Sequence, residues 1–435
     1  MSRYGGWRAY VVLLLSCFPL LLSGPGVTAP VRVGSPASSS VQTGNVVGGT
    51  APLNGVGPRA TITCPAGSVS IASDQSIQSL VNMHPGGTTF CLRAGVHRLT
   101  SSITPKTGNT FVGEYGAILD GTGWSTTDPD AAAFKALSVN VDFVAIRNLT
   151  IRNMPQHGIT VYYLDSDHWT IEYNEIANNK FGIEFAPNST IRYNYIHHNV
   201  SSTPKASKPA ERGGAYLCQR CDDSVLEGNE IAYNGTEQKI ANHSANVVFR
   251  NNFVHHNLAD GIWYDTNRNA GALIEGNRVE DNGRDGISFE ASIGATIRNN
   301  TVRRNADAAV FISMSQNAQI YNNSLEANFG GIEYFLNCDS LSSGEDVKNN
   351  AAYENTIVVA GTQSDTYASA FGHTRSSCTS AQLAPYLNGE KKLTFAHNAY
   401  RVPSRVSARY FMWGGWKSWN EWRAQGHDVE GNLSQ

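Results

Sequence analysis

The sequence predicts an all-β solenoid, a stack of short parallel strands wound into one elongated domain. Three observations predict it. The spacing N-x4-N recurs nine times, with starts at Asn148, Asn174, Asn194, Asn229, Asn252, Asn277, Asn300, Asn323 and Asn350. Most steps between starts are 20 to 27 residues, and the one from Asn194 to Asn229 is 35; a period in this range marks stacked repeat units. Most copies follow an alternating strand such as STIRYN, SVLEGN, ALIEGN or ATIRNN. The composition agrees: 435 residues with 41 Gly and 16% charged residues suit a compact β protein rather than a disordered chain.

The N-terminus reads as a targeting segment. Arg3 and Arg8 precede an apolar run from Tyr10 to Leu22, and small residues follow at Ser23 to Ala29. A basic start, a short apolar core and a small-residue exit form a secretory signal, here residues 1–29. The run is short for a membrane span and is broken by Pro19. Leu14-Leu15-Ser16-Cys17 is loosely like a lipoprotein signal, but the apolar run continues past Cys17, so lipid anchoring there is the lesser alternative. Residues 30–60 are rich in Ser, Gly and Pro and read as a flexible linker. Without the signal, 31 basic residues face 36 acidic ones, a net charge near −5. No basic stripe marks a nucleic-acid footprint.

Cysteine usage fits export. Six cysteines remain after Cys17, an even number, as expected of disulfides in a secreted chain. The sequential pairing is favoured: Cys64 with Cys91, Cys218 with Cys221, Cys338 with Cys378. The CQRC at 218–221 has no second CxxC to complete a zinc site, so a local disulfide is the simpler reading.

Each coil reads as three short strands. Around Asn300 they are the ATIRNN strand, the TVRR segment and a GISF-type strand. Alternation puts Ile297 and Val302 inside and Arg298 outside. One coil cannot bury its own apolar face, so coils stack, with equivalent positions about 4.8 Å apart. An Asn at the start of every turn can adopt the left-handed conformation and bond to the Asn above and below. The asparagines are thus an internal, structural ladder.

These coils resemble the parallel β-helix repeats of the pectate-lyase-like superfamily over roughly residues 60–400. The segment SIQSLVNMHPGGTTFCLRAGVHRL is similar to that superfamily's usual entrance, an amphipathic helix (Ile77, Leu80, Val81) followed by the first strands. The resemblance implies a right-handed parallel β-helix over 61–400 with an N-terminal helical cap. It also implies the activities found on that scaffold: uronate lyases and epimerases, glycoside hydrolases, esterases, tailspikes and non-enzymatic surface proteins. The DPHD motif of mannuronan epimerases is absent, and so is a clear NTD…DD…GHG pattern of polygalacturonase-like hydrolases. Residues 401–435, with Trp413, Trp416, Trp419 and Trp422, are expected to plug the far end rather than to form a sugar platform. The insertion at 200–214 accounts for the long step and is expected to project as a wall beside the binding face.

The third strands align as GITVYY (158–163), GIEFAP (182–187), GAYLCQ (214–219), GIWYDT (261–266), GISFEA (286–291), AVFISM (309–314) and GIEYFL (331–336). The third position then points outward, giving Glu184, Tyr216, Trp263 and Glu333 among others. The fifth gives Asp265 and Glu290. Asp260 and Asp285 precede the strands on neighbouring coils. Four carboxylates thus gather around Trp263, although like charges stacked in a ladder destabilise it. Asp before Gly is also a common turn choice, so Asp260 and Asp285 divide evenly between turn and function. Asp265 and Glu290, in mid-strand, favour function.

Three chemistries fit this cluster. Glycoside hydrolysis needs two carboxyls across the scissile bond, one with a raised pKa. Here Asp265 and Glu290 are the pair, Asp260 and Asp285 support them, and Trp263 and Tyr216 form the platform. Arg268, Glu184 and Glu333 line further subsites. A uronate lyase or epimerase would instead hold Ca²⁺ on Asp260, Asp265, Asp285 and Glu290, with Arg268, Arg284, Tyr216 or His255 as base. A binding solenoid would turn nothing over. An acidic groove repels a polyuronate unless a cation intervenes, which tips the reading to a hydrolase without a cofactor. The expected partner is an extracellular polysaccharide, and the expected state a secreted monomer with no membrane span. His197-His198 and His255-His256 lie two rungs apart, about 10 Å, too far to share one metal, and read as surface histidines.

Overall fold

The computed structural model describes residues 55–435 apart from 138, 162–165, 202–212, 268–270, 361–365, 374–377 and 404–408. The signal segment, most of the 30–60 linker, the body of the 200–214 insertion and Arg268 lie outside the described residues. What is described is a parallel β-helix. Three sheets of 13, 13 and 12 strands run its length. Ala272–Glu275, Arg278–Glu280 and Ile287–Glu290 make one coil, and Ala295–Arg298, Thr301–Arg303 and Ala308–Ser313 the next.

The apolar pattern forces this winding. In the first sheet Ile274 pairs with Ile297 and that with Ile320. Val279, Val302 and Leu325 do the same in the second, and Ile287, Val310 and Ile332 in the third. All nine side chains are buried. Each is worth roughly 1.5–3 kcal/mol of burial, available only when another coil covers it. Ile297 and Val302 point inward and Arg298 outward, as expected.

Both asparagines of the repeat build ladders. Asn174, Asn194, Asn229, Asn252, Asn277, Asn300, Asn323, Asn355 and Asn398 form the first, between the first and second sheets. Asn179, Asn199, Asn234, Asn257, Asn282, Asn305 and Asn328 form the second. Two details differ from the sequence reading. The left-handed conformation belongs to the residue before each ladder asparagine, for example Tyr173, Tyr193, Asn251 and Asn299. That turn swings the asparagine side chain inward, where it replaces the strand hydrogen bonds lost at the corner. The copies at Asn148 and Asn350 are also out of frame: Leu149 occupies the ladder position of the first, and Asn355 that of the last.

Asn277 shows what a rung contributes. Its Oδ1 accepts from the backbone N–H and Nδ2 of Asn252, and its Nδ2 donates to Phe249 O and Asn300 Oδ1. Asn277→Ala should therefore cost about 3 kcal/mol, because buried partners are left unpaired. Urea denaturation measures this; a loss under roughly 0.5 kcal/mol would mean the ladder does not carry the turn.

The ends are closed. Ile77–Met83 forms the entrance helix, capped by the Ser76 side chain, with Ile77 and Val81 buried. At the far end Trp413 and Trp422 are buried against Phe371, Phe395 and Phe411. Trp422 Nε1 donates to Asp428 Oδ2 at 3.0 Å, and Asp428 Oδ1 ends the asparagine ladder at Asn398. These tryptophans cap the stack. The last strand, Asn432–Ser434, extends the second sheet beyond Ala399–Arg401. The three disulfides join Cys64 to Cys91, Cys218 to Cys221 and Cys338 to Cys378, the sequential pairing. No helix among the described residues is long and apolar enough to cross a membrane.

Candidate functional site

The outward face of the third sheet holds the carboxylates. Trp263 pairs with Ser288 and Asp265 with Glu290, on adjacent rungs. Phe311 and Ser313 follow, then Glu333 and Phe335. The register inferred from the sequence is correct across these four coils. Period-2 alternation fixes it, since Ile262, Tyr264, Ile287 and Phe289 must all turn inward.

Asp265 and Glu290 sit in unlike surroundings. Lys239 Nζ lies 3.0 Å from Asp265 Oδ2 and 4.7 Å from the Trp263 ring centroid, a cation stacked on the indole and paired with the acid. Burial pushes the Glu290 carboxyl up to about 7, and the nearby Asp265 and Asp260 charges push the same way. Arg284 pulls it back only in part. The Trp263 indole N–H favours the Glu290 anion but is buried without a partner of good hydrogen-bond geometry.

Asp260 and Asp285 are not exposed turn residues. They are 1% and 5% exposed, one rung apart just before the strands. Asp285 Oδ1 accepts from Ala308 N at 2.9 Å, and Arg284 Nη1 lies 3.3 Å from Asp260 Oδ2. Burial raises both carboxyls, and Asp285 rises further because Asp260 and Asp307 face it. Asp260 Oδ1 is buried without a hydrogen-bond partner. The glycines that follow are required: a Cβ on Gly261 or Gly286 would meet Val279 Cγ1 at 2.5 Å or Val302 Cγ1 at 2.3 Å. The Asp-Gly pairs therefore combine a packing requirement with a buried acid.

The remaining residues spread along the face. Glu184 is three rungs from Trp263; it accepts from Thr160 Oγ1 at 2.7 Å, and burial raises it to about 7. Glu333 is three rungs away on the other side and accepts from the buried Tyr367 hydroxyl. Neither touches Asp265. Three rungs span about 14 Å, the reach of a groove rather than of one reacting centre.

Two expectations are corrected. Tyr216 is not on the outward face. It pairs with Ile183 rather than with Glu184, is 1% exposed and packs beside Phe249 in the core. Gly214 pairs with Phe181 rather than with Gly182, a register one residue off the alignment, and Leu217 takes the outward place beside Glu184. His255 lies in the second sheet, on another face, so it is no base for this site. Arg268 is outside the described residues. One coil was also missed. Lys239–Ala241 is a third-sheet strand between Gly214–Gln219 and Ile262–Asp265. Its approach, Glu237-Gln238, lacks the Gly-Ile signature that marked the others. The alternation of KIA between Asn234 and Asn252 was the available signal for Lys239.

The four carboxylates do not converge as a metal cage. Among the described residues the one group offering three ligand atoms within 4.8 Å of one another is Cys64, Cys91 and Glu114, and those cysteines form a disulfide. The acids are instead opposed by Lys239 and Arg284, so this arrangement does not fit a Ca²⁺ held by all four.

Comparison with known proteins bears on the fold. The family model described as "Right handed beta helix region" matches residues 136–271 and 223–370. No curated protein matches the chain. Among solved structures, a complex of XylC with xylose is 12% identical, with 84% of this chain and 86% of that chain covered and a TM-score of 0.56. The Dettilon tailspike protein is 12% identical, with 78% and 63% covered and a TM-score of 0.50. The A-module of the mannuronan C-5 epimerase AlgE4 of Azotobacter vinelandii is 17% identical, with 68% and 88% covered and a TM-score of 0.49. At these identities the likeness is one of fold. Together the two family matches span more than half of the chain, in the coils that hold both asparagine ladders; the chain belongs to the right-handed β-helix family.

Proposed function

We propose that this protein is a secreted glycoside hydrolase acting on a neutral or weakly charged extracellular polysaccharide. The carrying observation is the Asp265/Glu290 pair: adjacent rungs, one acid ion-paired to Lys239 and the other pushed up to about 7. Two carboxyls in unlike environments are what acid catalysis of glycosidic cleavage requires. Glu290 retains its proton near neutral pH and donates it to the leaving oxygen. Asp265, positioned by Lys239, attacks the anomeric carbon. Rungs about 4.8 Å apart are close to the ~5–5.5 Å carboxyl spacing of retaining enzymes. Asp260 helps to keep Glu290 protonated, and Asp285 stands beside Asp260. Trp263 is the sugar platform, and Glu184 and Glu333 line the ends of the groove. The solved structure of similar fold named for its complex with xylose carries a sugar of the proposed neutral class. Three disulfides suit an oxidising compartment, and the chain is proposed to act as a monomer.

Lys239 supports a second reading. An amine beside the platform is the kind of base that β-elimination of a uronate needs, with Arg284 facing the substrate carboxylate. Lys239 Nζ is already engaged by the Asp265 carboxylate rather than facing open space above the strand, which argues for hydrolysis. A panel of neutral and uronate polysaccharides separates the two. New reducing ends without the ultraviolet absorbance of an unsaturated uronate support the hydrolase. Absorbance gain supports the lyase, and silence in both channels supports a binding solenoid.

Trp263→Ala should raise KM about tenfold with a smaller fall in kcat, since aromatic stacking is worth roughly 1–2 kcal/mol. Initial-rate kinetics on the active polysaccharide measure it. An unchanged KM would remove Trp263 from the platform.

A further inference from the structure

The outward face of the second sheet carries a polar cluster that the proposed reaction does not use. His197 Nε2 lies 3.2 Å from Glu175 Oε1, and its Nδ1 lies 2.7 Å from His198 Nδ1. Two coils on, the arrangement recurs: His255 Nε2 is 3.3 Å from Glu230 Oε1, and His255 Nδ1 is 2.9 Å from His256 Nδ1. A carboxylate only accepts, so the inner histidine of each pair donates from Nε2 and presents the lone pair of Nδ1 to its neighbour.

All four rings are held in place. Tyr195 stacks on His197 with ring centroids 3.8 Å apart, and Phe253 on His255 at 4.0 Å. The outer rings of His198 and His256 stack on Tyr233 at 5.0 and 5.2 Å. Both outer residues have positive φ, each in the turn just before a ladder asparagine, Asn199 or Asn257. That turn folds the outer ring back onto the inner one. The coil between carries Ala232 in the histidine column, which leaves the two pairs separate.

We propose that each histidine pair is a two-nitrogen site for a borderline divalent metal ion of the copper, nickel or zinc type. Metal-bound imidazole nitrogens lie about 2.0–2.1 Å from the ion, so two of them at about a right angle are roughly 3 Å apart. The observed separations, 2.7 and 2.9 Å, are already close to that value. One proton lies between each pair of nitrogens; when the ion binds, that proton moves from Nδ1 to Nε2 of the outer ring, so both imidazoles bind as neutral ligands. Glu175 and Glu230 stand where metal-binding histidines usually carry a carboxylate, on the other ring nitrogen, fixing tautomer and orientation. Imidazole donors favour Cu²⁺ over Ni²⁺ and Zn²⁺. Water completes the coordination. The sites are two rungs apart, about 10 Å, so the chain takes two ions rather than one shared ion.

The test is calorimetric titration of untagged, EDTA-treated protein with Cu²⁺, followed by electron paramagnetic resonance. Two equivalents are expected, with nitrogen coordination and dipolar broadening between the two ions. His198→Asn and His256→Asn, chosen because Asn tolerates the left-handed turn, should each remove one equivalent and abolish the broadening. The double variant should bind none, and exposed His397→Ala should still bind two. Melting curves of the variants confirm that they remain folded. Stoichiometry unchanged by the His198 and His256 substitutions, a total of one equivalent that either substitution abolishes, or two ions without dipolar broadening would each overturn the proposal.

Discussion

Glu290→Gln is expected to lower kcat/KM for glycosidic cleavage by about a thousandfold, within the range that a positioned general acid contributes. Gln keeps the size and the position on the strand but carries no acidic proton. The pH profile should change as well. In the unsubstituted protein, activity should decline as pH rises through about 7, where Glu290 loses its proton. That alkaline limb should be missing from the residual activity of the variant. Asp265→Ala should be as severe, but partly restored by azide or formate, which replace the missing nucleophile. A Glu290→Gln enzyme of near-normal rate would take the acid role from this residue.

The second large effect concerns stability. Glu184 and Glu290 have an ordinary value of 4.5 and are raised to about 7 in the folded chain. Below 4.5 both folded and unfolded forms hold these protons. Between 4.5 and 7 the unfolded chain has released protons that the folded chain still binds, so stability falls as pH rises. A change of this size corresponds to roughly 3 kcal/mol for each group. Burial raises Asp260 and Asp285 in the same direction. Asp120 works oppositely: its carboxyl is lowered to about 2, and its contribution is lost as pH falls from 3.8 through that value. Maximum stability is therefore expected near pH 4–5, with decline on both sides. Melting temperatures across pH 4 to 8 measure this. Glu290→Gln should melt higher than the unsubstituted protein at pH 8 and about equally at pH 4.5, because the strained charge is gone. A flat profile, or a variant that melts lower at pH 8, would contradict the buried-acid account. The same substitution is thus expected to remove activity and add stability, which is how a site that stores unfavourable charge behaves.

How much of this was legible in the sequence depends on how each feature is encoded. The asparagine ladders are written at a fixed spacing because every coil must turn the same two corners. The disulfide pairing followed from order along the chain. The Asp265/Glu290 register was readable because Ile262, Tyr264, Ile287 and Phe289 leave one way for the strands to face. At GAYLCQ the same logic failed. Gly214 and Ala215 are both small enough for the crowded corner, and Tyr216 and Leu217 are both apolar, so a slip of one residue costs nothing in pattern. The core decided it, with room for the Tyr216 ring beside Phe249. Lys239 was hidden for a related reason: its coil replaces Gly-Ile with Glu237-Gln238. The buried Gln238 donates its side-chain amide to Asp260 O and Gly261 O, a bond no local pattern announces. The burial of Asp260 and Asp285 was equally invisible, because Asp-Gly reads the same in an exposed turn.

The most direct test of the central claim is the anomeric configuration of the first-formed product, followed by NMR on the polysaccharide that the protein cleaves. Two carboxyls on adjacent rungs predict a newly formed end that retains the configuration of the broken bond. An inverted end, or an unsaturated sugar in place of a hydrated one, would contradict the assignment of Asp265 as nucleophile and Glu290 as acid.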